Sequence, residues 1–223
     1  CVIYVPENSS EAKLANMKSF GAEIRVHGKD CMDGELKARK VADSTGGIYL
    51  SPYNDPEVVS GQGTISAEIA SQCSGLDAVI VSVGGGGLIS GVGGYLKSIW
   101  PDIEVIAASP ENHAVMIHSL KAGEIIKIDP APTISDGTAG GVEAGSVTFE
   151  MCQEFVDQMV LLTEQEIQDG IIQLIEKERI LVEGAAGTAI AALIKKKNDL
   201  RGKRVGIIVC GRNISLEVLR KIL

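Results

Sequence analysis

No run of about 18 apolar residues occurs in this 223-residue sequence, so it offers no candidate membrane-spanning helix. Basic residues are in short supply. There are 21 against 29 acidic, and the net charge of -8 argues against nucleic acid and anionic membrane partners. The five cysteines (Cys1, Cys31, Cys73, Cys152 and Cys210) are odd in number, scattered, and include no C-x-x-C pair. No metal site or disulfide framework is expected from them, and a reducing, cytoplasmic setting is. The opening Cys-Val-Ile-Tyr-Val-Pro-Glu lacks the basic n-region and long h-region of a secretory signal. It also lacks a Met and begins inside an apparent strand, which raises the expectation of a fragment. What remains, 45% hydrophobic and 22% charged, fits a globular protein of one large domain or two small ones.

Against these absences stands one dense feature, Val81-Ser82-Val83-Gly84-Gly85-Gly86-Gly87-Leu88-Ile89-Ser90-Gly91. The apolar run from Ala78 to Val83 reads as a buried parallel strand. From Leu88 to Ile99, Leu88, Val92, Leu96 and Ile99 share one helical face. Glycines at a strand-to-helix turn let backbone N–H groups converge with no Cβ in the way, at the positive end of a helix. Such a turn is a phosphate cradle; its plainer reading is a tight packing turn. Two nucleotide motifs fail here. Val92 and Gly93 stand where a P-loop needs Lys and Ser/Thr, and no G-x-G-x-x-G frame completes. A compact cofactor phosphate is expected rather than a nucleotide.

Strand and helix signals alternate along the chain. Strands are predicted at Val2–Val5, Ala22–His27, Ile48–Ser51, Ala78–Val83, Val105–Ala108 and Arg204–Cys210. Helices are predicted after Asn8, which with Glu11 resembles a capping box, and then at Glu35–Ser44, Gly61–Gln72, Leu88–Ile99, Thr148–Gln158, Glu164–Arg179 and Gly184–Lys196, with a short one at the terminus. Residues 122–145 read as a long irregular loop, which inside a compact domain is usually functional. The alternation means an α/β fold with a mainly parallel twisted sheet and helices on both faces. The dense turn Ser51-Pro52-Tyr53-Asn54-Asp55-Pro56 marks a boundary between domains at 1–54 and 55–223. Ligands of such sheets sit at strand carboxyl ends, and Ser82-Val83-Gly84 and Val209-Cys210-Gly211 are two of these.

Taken in order, five segments resemble the threonine/serine dehydratase and serine racemase branch of the fold-type II pyridoxal phosphate enzymes. They are Ser60 to Ile65, Val83 to Gly91, Ser135-Asp136-Gly137, Leu181 to Gly187, and Val209-Cys210-Gly211-Arg212-Asn213. The resemblance covers essentially the whole chain. It implies a large cofactor-binding α/β domain plus part of a smaller one. Pyridoxal 5'-phosphate would have its phosphate held by Gly84, Gly85, Gly86, Gly87 and Leu88, and Cys210 would face the pyridine nitrogen. Gly137 would lie in the loop over the cofactor, Tyr53 at the edge of the cleft, and Glu183 close to the ring. The activity implied is dehydration and deamination of L-threonine or L-serine to a 2-oxo acid and ammonia, by a homodimer or tetramer. A racemase of the same family and a non-catalytic phosphate-binding domain are the alternatives. The family's Schiff-base lysine segment and its Ser-Gly-Asn-His loop are not found in this sequence, so about a hundred preceding residues are expected to be missing and the isolated chain to be inactive. No metal is expected: Ser109 stands where racemase-like members carry a Glu, and His113 is read as a surface residue.

Each candidate also has an ordinary reading. Cys210 is either the neutral partner of the ring nitrogen or a packed thiol. Glu183, in an apolar setting, either tunes the ring or relays a proton, or else caps the helix that begins at Gly184. Asp136 reads as a turn former.

Overall fold

The structure, a computed structural model, describes residues 1–7, 9–129 and 131–223, without the side chain of Ala12. It forms two compact units, Cys1–Ser51 and Pro52–Leu223.

In the first unit, β1 (Val2–Val5) and β2 (Glu23–Val26) pair in parallel, with Val2 opposite Glu23 and Val5 opposite Val26. The connection between them carries α1 (Glu11–Ser19), whose N-cap is Ser10; Asn8, the cap expected from the sequence, lies outside the described residues. A second helix, α2 (Cys31–Thr45), starts four residues before the predicted Glu35. Asp30 and Asp33 form a capping box that satisfies orphan N–H groups there, and Gly46, at φ 69°, ends the helix in the left-handed conformation. The strand expected at Ile48–Ser51 is not formed. Ile48 and Leu50 alternate as a strand would, but no strand among the described residues pairs with them, and both side chains are exposed.

The second unit opens with α3 (Pro56–Gln72). Its N-cap Asp55 accepts a hydrogen bond from the Glu57 N–H at 2.8 Å, and Pro56 sits where a missing N–H costs nothing. The turn read as a boundary is thus partly a helix start. There follow β3 (Ala78–Ser82), α4 (Gly87–Ile99), β4 (Glu104–Pro110), α5 (Val115–Ala122) and α6 (Val147–Phe155). The chain closes with β5 (Gln158–Leu162), α7 (Glu164–Glu178), α8 (Gly184–Lys196), β6 (Val205–Ile207) and α9 (Leu216–Ile222). The four strands lie in the order β5-β4-β3-β6, every pair parallel, with Ile80 opposite both Ile106 and Ile207.

Burial of β3 on both faces explains its unbroken apolar sequence. Ala78, Val79, Ile80 and Val81 are all 0% exposed. Because successive side chains point to opposite faces, Ala78 and Ile80 pack into a core with Ile167, Ile171 and Ala189 of α7 and α8. Val79 and Val81 pack into a second core with Ile89, Val92 and Leu96 of α4. Each of the valine, leucine and isoleucine side chains among them contributes roughly 1.5–3 kcal/mol by leaving water.

Strand β5 and helix α5 were not expected from the sequence. The four apolar residues Met159–Leu162 abut a predicted helix and are too few to separate by period. The available signal was the capping box that follows, in which Thr163 Oγ1 accepts from the Glu166 N–H and a Glu166 carboxylate oxygen accepts from the Thr163 N–H. Beyond α5, the described part of residues 123–145 holds only a single 3-10 turn, Asp136–Thr138. No helix of the described residues is long and apolar enough to cross a membrane.

Candidate functional site

The glycine run joins the carboxyl end of β3 to the first turn of α4. Pairing continues one residue past the strand, where the Val83 N–H donates to the Ala108 carbonyl at 2.8 Å. From there the four glycines each meet a close neighbour. A Cβ on Gly84 would lie 2.8 Å from the Thr138 carbonyl oxygen, and one on Gly85 would lie 2.4 Å from Cγ of Tyr53. A Cβ on Gly86 would come 3.0 Å from Cys152 Sγ, and one on Gly87 3.0 Å from Tyr53 Cα. Gly86 also adopts φ 88° as the N-cap of α4, a conformation that only glycine takes cheaply. The tight-packing reading holds for all four positions. The Cα side of the turn is packed, while the N–H groups of Gly84 to Leu88 have no hydrogen-bond acceptor among the described residues. Unpaired amides at the positive end of a 13-residue helix fit a phosphate-sized anion.

Tyr53 is buried rather than at the edge of a cleft. Its ring fills the space that a Cβ on Gly85 would need, and its hydroxyl accepts from the Glu143 N–H at 2.8 Å. It supports the glycine turn from within the core. Beside it, Asn54 accepts from the Val147 N–H at 3.0 Å and donates to Glu143 at 2.6 Å.

Cys210 lies three residues beyond the end of β6, where Ile208 still donates to the Ile80 carbonyl at 3.0 Å. Its thiol is 3.0 Å from Ser82 Oγ, and Ser82 ends β3, two residues before Gly84. Burial pushes this thiol above its ordinary range; the Ser82 hydrogen bond opposes that shift and the Glu183 charge adds to it. The group is a neutral thiol at neutral pH.

Glu183 is the N-cap of α8 by position, yet its side chain makes no cap hydrogen bond. Its Oε2 accepts instead from the Asn213 N–H at 2.9 Å. Its Oε1 lies where a Cβ on Gly137 would come within 2.9 Å and one on Gly211 within 2.2 Å. This carboxylate therefore ties the start of α8, the 3-10 turn and the segment after Cys210 together. The same turn rests on Gly84 through Thr138, so the contacts close into a ring: glycine turn, Thr138, Gly137, Glu183, Gly211, Cys210 and Ser82. A buried hydroxyl cluster missed by sequence reasoning braces it. Ser135 Oγ lies 2.7 Å from Thr138 Oγ1 and 3.2 Å from Thr188 Oγ1.

His113 is not a surface residue. It is buried, and its Nε2 accepts from the Gly140 N–H at 3.1 Å. Ser109, also buried, donates to the Val83 carbonyl at 3.2 Å. Lys97 bonds the Ile103 carbonyl and Asp157 just before β4 and β5, at the amino ends of the sheet. Lys195 and Lys196 pair with Glu166 and Asp199.

Against the glycine turn lies Cys152 of α6, 3.7 Å from Ser90 Oγ. Burial raises its thiol from 9.0 to about 11, with the Ser90 hydrogen bond opposing. The folded pKa exceeds the unfolded one, so this contribution to stability is whole below pH 9 and is lost as pH rises through 11. Relative to Cys152→Ala, the unmodified chain should lose roughly 2–3 kcal/mol across that interval. Urea unfolding of both chains at a series of pH values measures it; parallel curves refute it.

A family model described as pyridoxal-phosphate dependent enzyme matches residues 1–211. The L-threonine ammonia-lyase of Thermotoga maritima is 36% identical over 221 residues, covering 99% of this chain and 55% of that protein. The catabolic L-threonine dehydratase TdcB of Escherichia coli K12 is 36% identical over 222 residues, covering 99% of this chain and 67% of its own length. Among solved structures, serine racemase from Dictyostelium discoideum superposes with a TM-score of 0.84 at 34% identity, over 97% of this chain and 69% of that one. The chain thus spans between about half and two thirds of the length of these curated relatives. With a family model that matches residues 1–211, from before the first strand to just past Cys210, the chain belongs to the pyridoxal-phosphate dependent enzymes.

Proposed function

We propose that this protein is an ammonia-lyase of small hydroxy amino acids, converting L-threonine or L-serine to a 2-oxo acid and ammonia. The observation that carries the reading is the neutral Cys210 thiol, tied to the strand end that enters the glycine turn. Pyridoxal phosphate supplies an electron sink for the amino-acid Cα, so that a bond to that carbon can break. The N–H groups of Gly84 to Leu88 would hold its phosphate. Cys210 would offer the pyridine nitrogen a neutral contact that does not enforce protonation, which leaves the sink weak. By leaving that nitrogen unprotonated, Cys210 would suit the site to release of a β-hydroxyl from the substrate. Glu183 would keep the Cys210 segment and the Gly137 turn in register, and Gly137 would lie over the cofactor. Likeness to a serine racemase favours a racemase as the second reading.

Supporting a cytoplasmic setting are five cysteines that are all free thiols; a homodimer or tetramer is carried over from the resemblance. The test is to supply the complete gene product with L- and D-threonine and L- and D-serine and to measure ammonia, 2-oxo acid and enantiomer. Ammonia and 2-oxo acid in equal amounts from an L-isomer support the lyase. Enantiomer exchange without ammonia supports the racemase, and neither product refutes both.

A further inference from the structure

The peptide that joins Gly85 to Gly86 is held by a side chain that no motif marks. Thr148, in the first turn of α6, is fully buried, and its hydroxyl donates to the Gly85 carbonyl at 2.6 Å. That hydroxyl has a single proton. Its second contact, with Ser146 Oγ at 2.7 Å, is therefore one in which Ser146 donates and Thr148 Oγ1 accepts. Ser146 is itself buried and is the N-cap of α6. The bonds run one way, from Ser146 through Thr148 to the Gly85 oxygen, and each polarises the next.

A trans peptide is planar, with its C=O and N–H pointing in opposite directions. No cis peptide occurs among the described residues. Seating the Gly85 oxygen on Thr148 thus aims the Gly86 N–H the other way, and that N–H has no acceptor among the described residues. The anchor matters because a peptide between two glycines has no Cβ on either side to resist rotation. Rotated by half a turn, it would present a carbonyl oxygen where an anion needs a donor.

We propose that Thr148 is a positioning residue for anion binding: by holding the Gly85 carbonyl, it locks the Gly85–Gly86 peptide so that the Gly86 N–H faces the cofactor phosphate. The inference rests on reading the glycine turn as the phosphate cradle.

The test compares pyridoxine 5'-phosphate with pyridoxine, which differ in the phosphate and carry no aldehyde to react with lysines. Both are titrated calorimetrically into the 223-residue chain and into its Thr148→Val, Thr148→Ala and Thr148→Ser variants. The unmodified chain should prefer the phosphorylated ligand. Thr148→Val should lose about tenfold or more of that preference, the scale of one hydrogen bond to an ionised group. Affinity for pyridoxine should not change. Thr148→Ala, which adds no bulk, must reproduce the loss, and Thr148→Ser, which keeps the hydroxyl, must retain the preference to within about twofold. A preference that survives in Thr148→Ala overturns the role of Thr148 and leaves the cradle standing. Equal losses in the serine and alanine variants overturn it too, because shape would then matter rather than the hydroxyl. An unmodified chain with no preference overturns the cradle reading, and this inference with it.

Discussion

Replacing Gly85 with alanine should destabilise the protein by about 3 kcal/mol and abolish its preference for a phosphorylated pyridoxine. The added Cβ would fall 2.4 Å from Cγ and 2.6 Å from Cδ1 of Tyr53, inside the ring's own contact surface. The ring has no easy retreat. Its hydroxyl is fixed by the Glu143 N–H at 2.8 Å, and its backbone is already against Gly87. Either the ring leaves its place or the turn lifts off it, and overpacking of this kind typically costs 1–3 kcal/mol, occasionally more. For a unit of this size that corresponds to a fall in Tm of roughly 6–12 °C. A lifted turn also carries its N–H groups away from a common focus, so binding should suffer by more than stability alone explains. Thermal unfolding and the calorimetric titration measure the two effects separately. Gly85→Ala combined with Tyr53→Ala should recover part of the binding, because the two side chains compete for one space. A Gly85→Ala chain with unchanged Tm and unchanged preference would show that the turn is more adaptable than its packing indicates.

Cys210→Asp should change what the complete gene product makes more than how tightly it binds. The present thiol is neutral, kept so chiefly by burial. An aspartate there places an ionised acceptor beside Ser82 and the proposed position of the pyridine nitrogen, and so favours a proton on that nitrogen. The stronger electron sink should move product from ammonia and 2-oxo acid towards transamination or racemisation, by about tenfold in ratio if the nitrogen's pKa rises by one unit. Cys210→Ser, which supplies an equally neutral contact, should keep elimination dominant. Glu183 works against the aspartate, since its carboxylate raises the cost of a second negative charge nearby; pairing the change with Glu183→Gln should enlarge the shift. Product ratios from L-serine and L-threonine decide the matter. If Cys210→Asp binds the cofactor and its ratios match those of the unmodified enzyme, Cys210 is only a packed thiol.

Much of the architecture was legible in the residues because it depends on local chemistry. The continuous apolar run Ala78–Val83, the glycines after it and the helical stripe from Leu88 specify a strand, a turn and a helix without reference to the rest of the chain. Helix α8 begins and ends where its small residues and terminal lysines indicate. The segments that failed are those whose state depends on a partner. Ile48–Ser51 has strand-like alternation but no neighbour to pair with, while Met159–Leu162 has little signal and is a strand because β4 lies beside it. Burial follows the same division. His113 looks like a surface residue until Gly140 donates to it, and Tyr53 looks like the rim of a cleft until its ring is found against Gly85.

For the site, the sequence by itself determined the groups available: a run of backbone amides free of Cβ atoms, a thiol after a strand, and a carboxylate before a helix. Their relation was decided only by the tertiary structure. Glu183 had two readings of equal standing, and the folded chain rejects the cap because Asn213 and the glycines at 137 and 211 lie within its reach. Thr148 was invisible as a candidate because its role is to hold another residue's carbonyl 63 positions away. Local sequence specifies which groups can bind, since that depends on atoms a residue carries itself. Which way they point is set by hydrogen bonds and packing that arise only when distant segments meet.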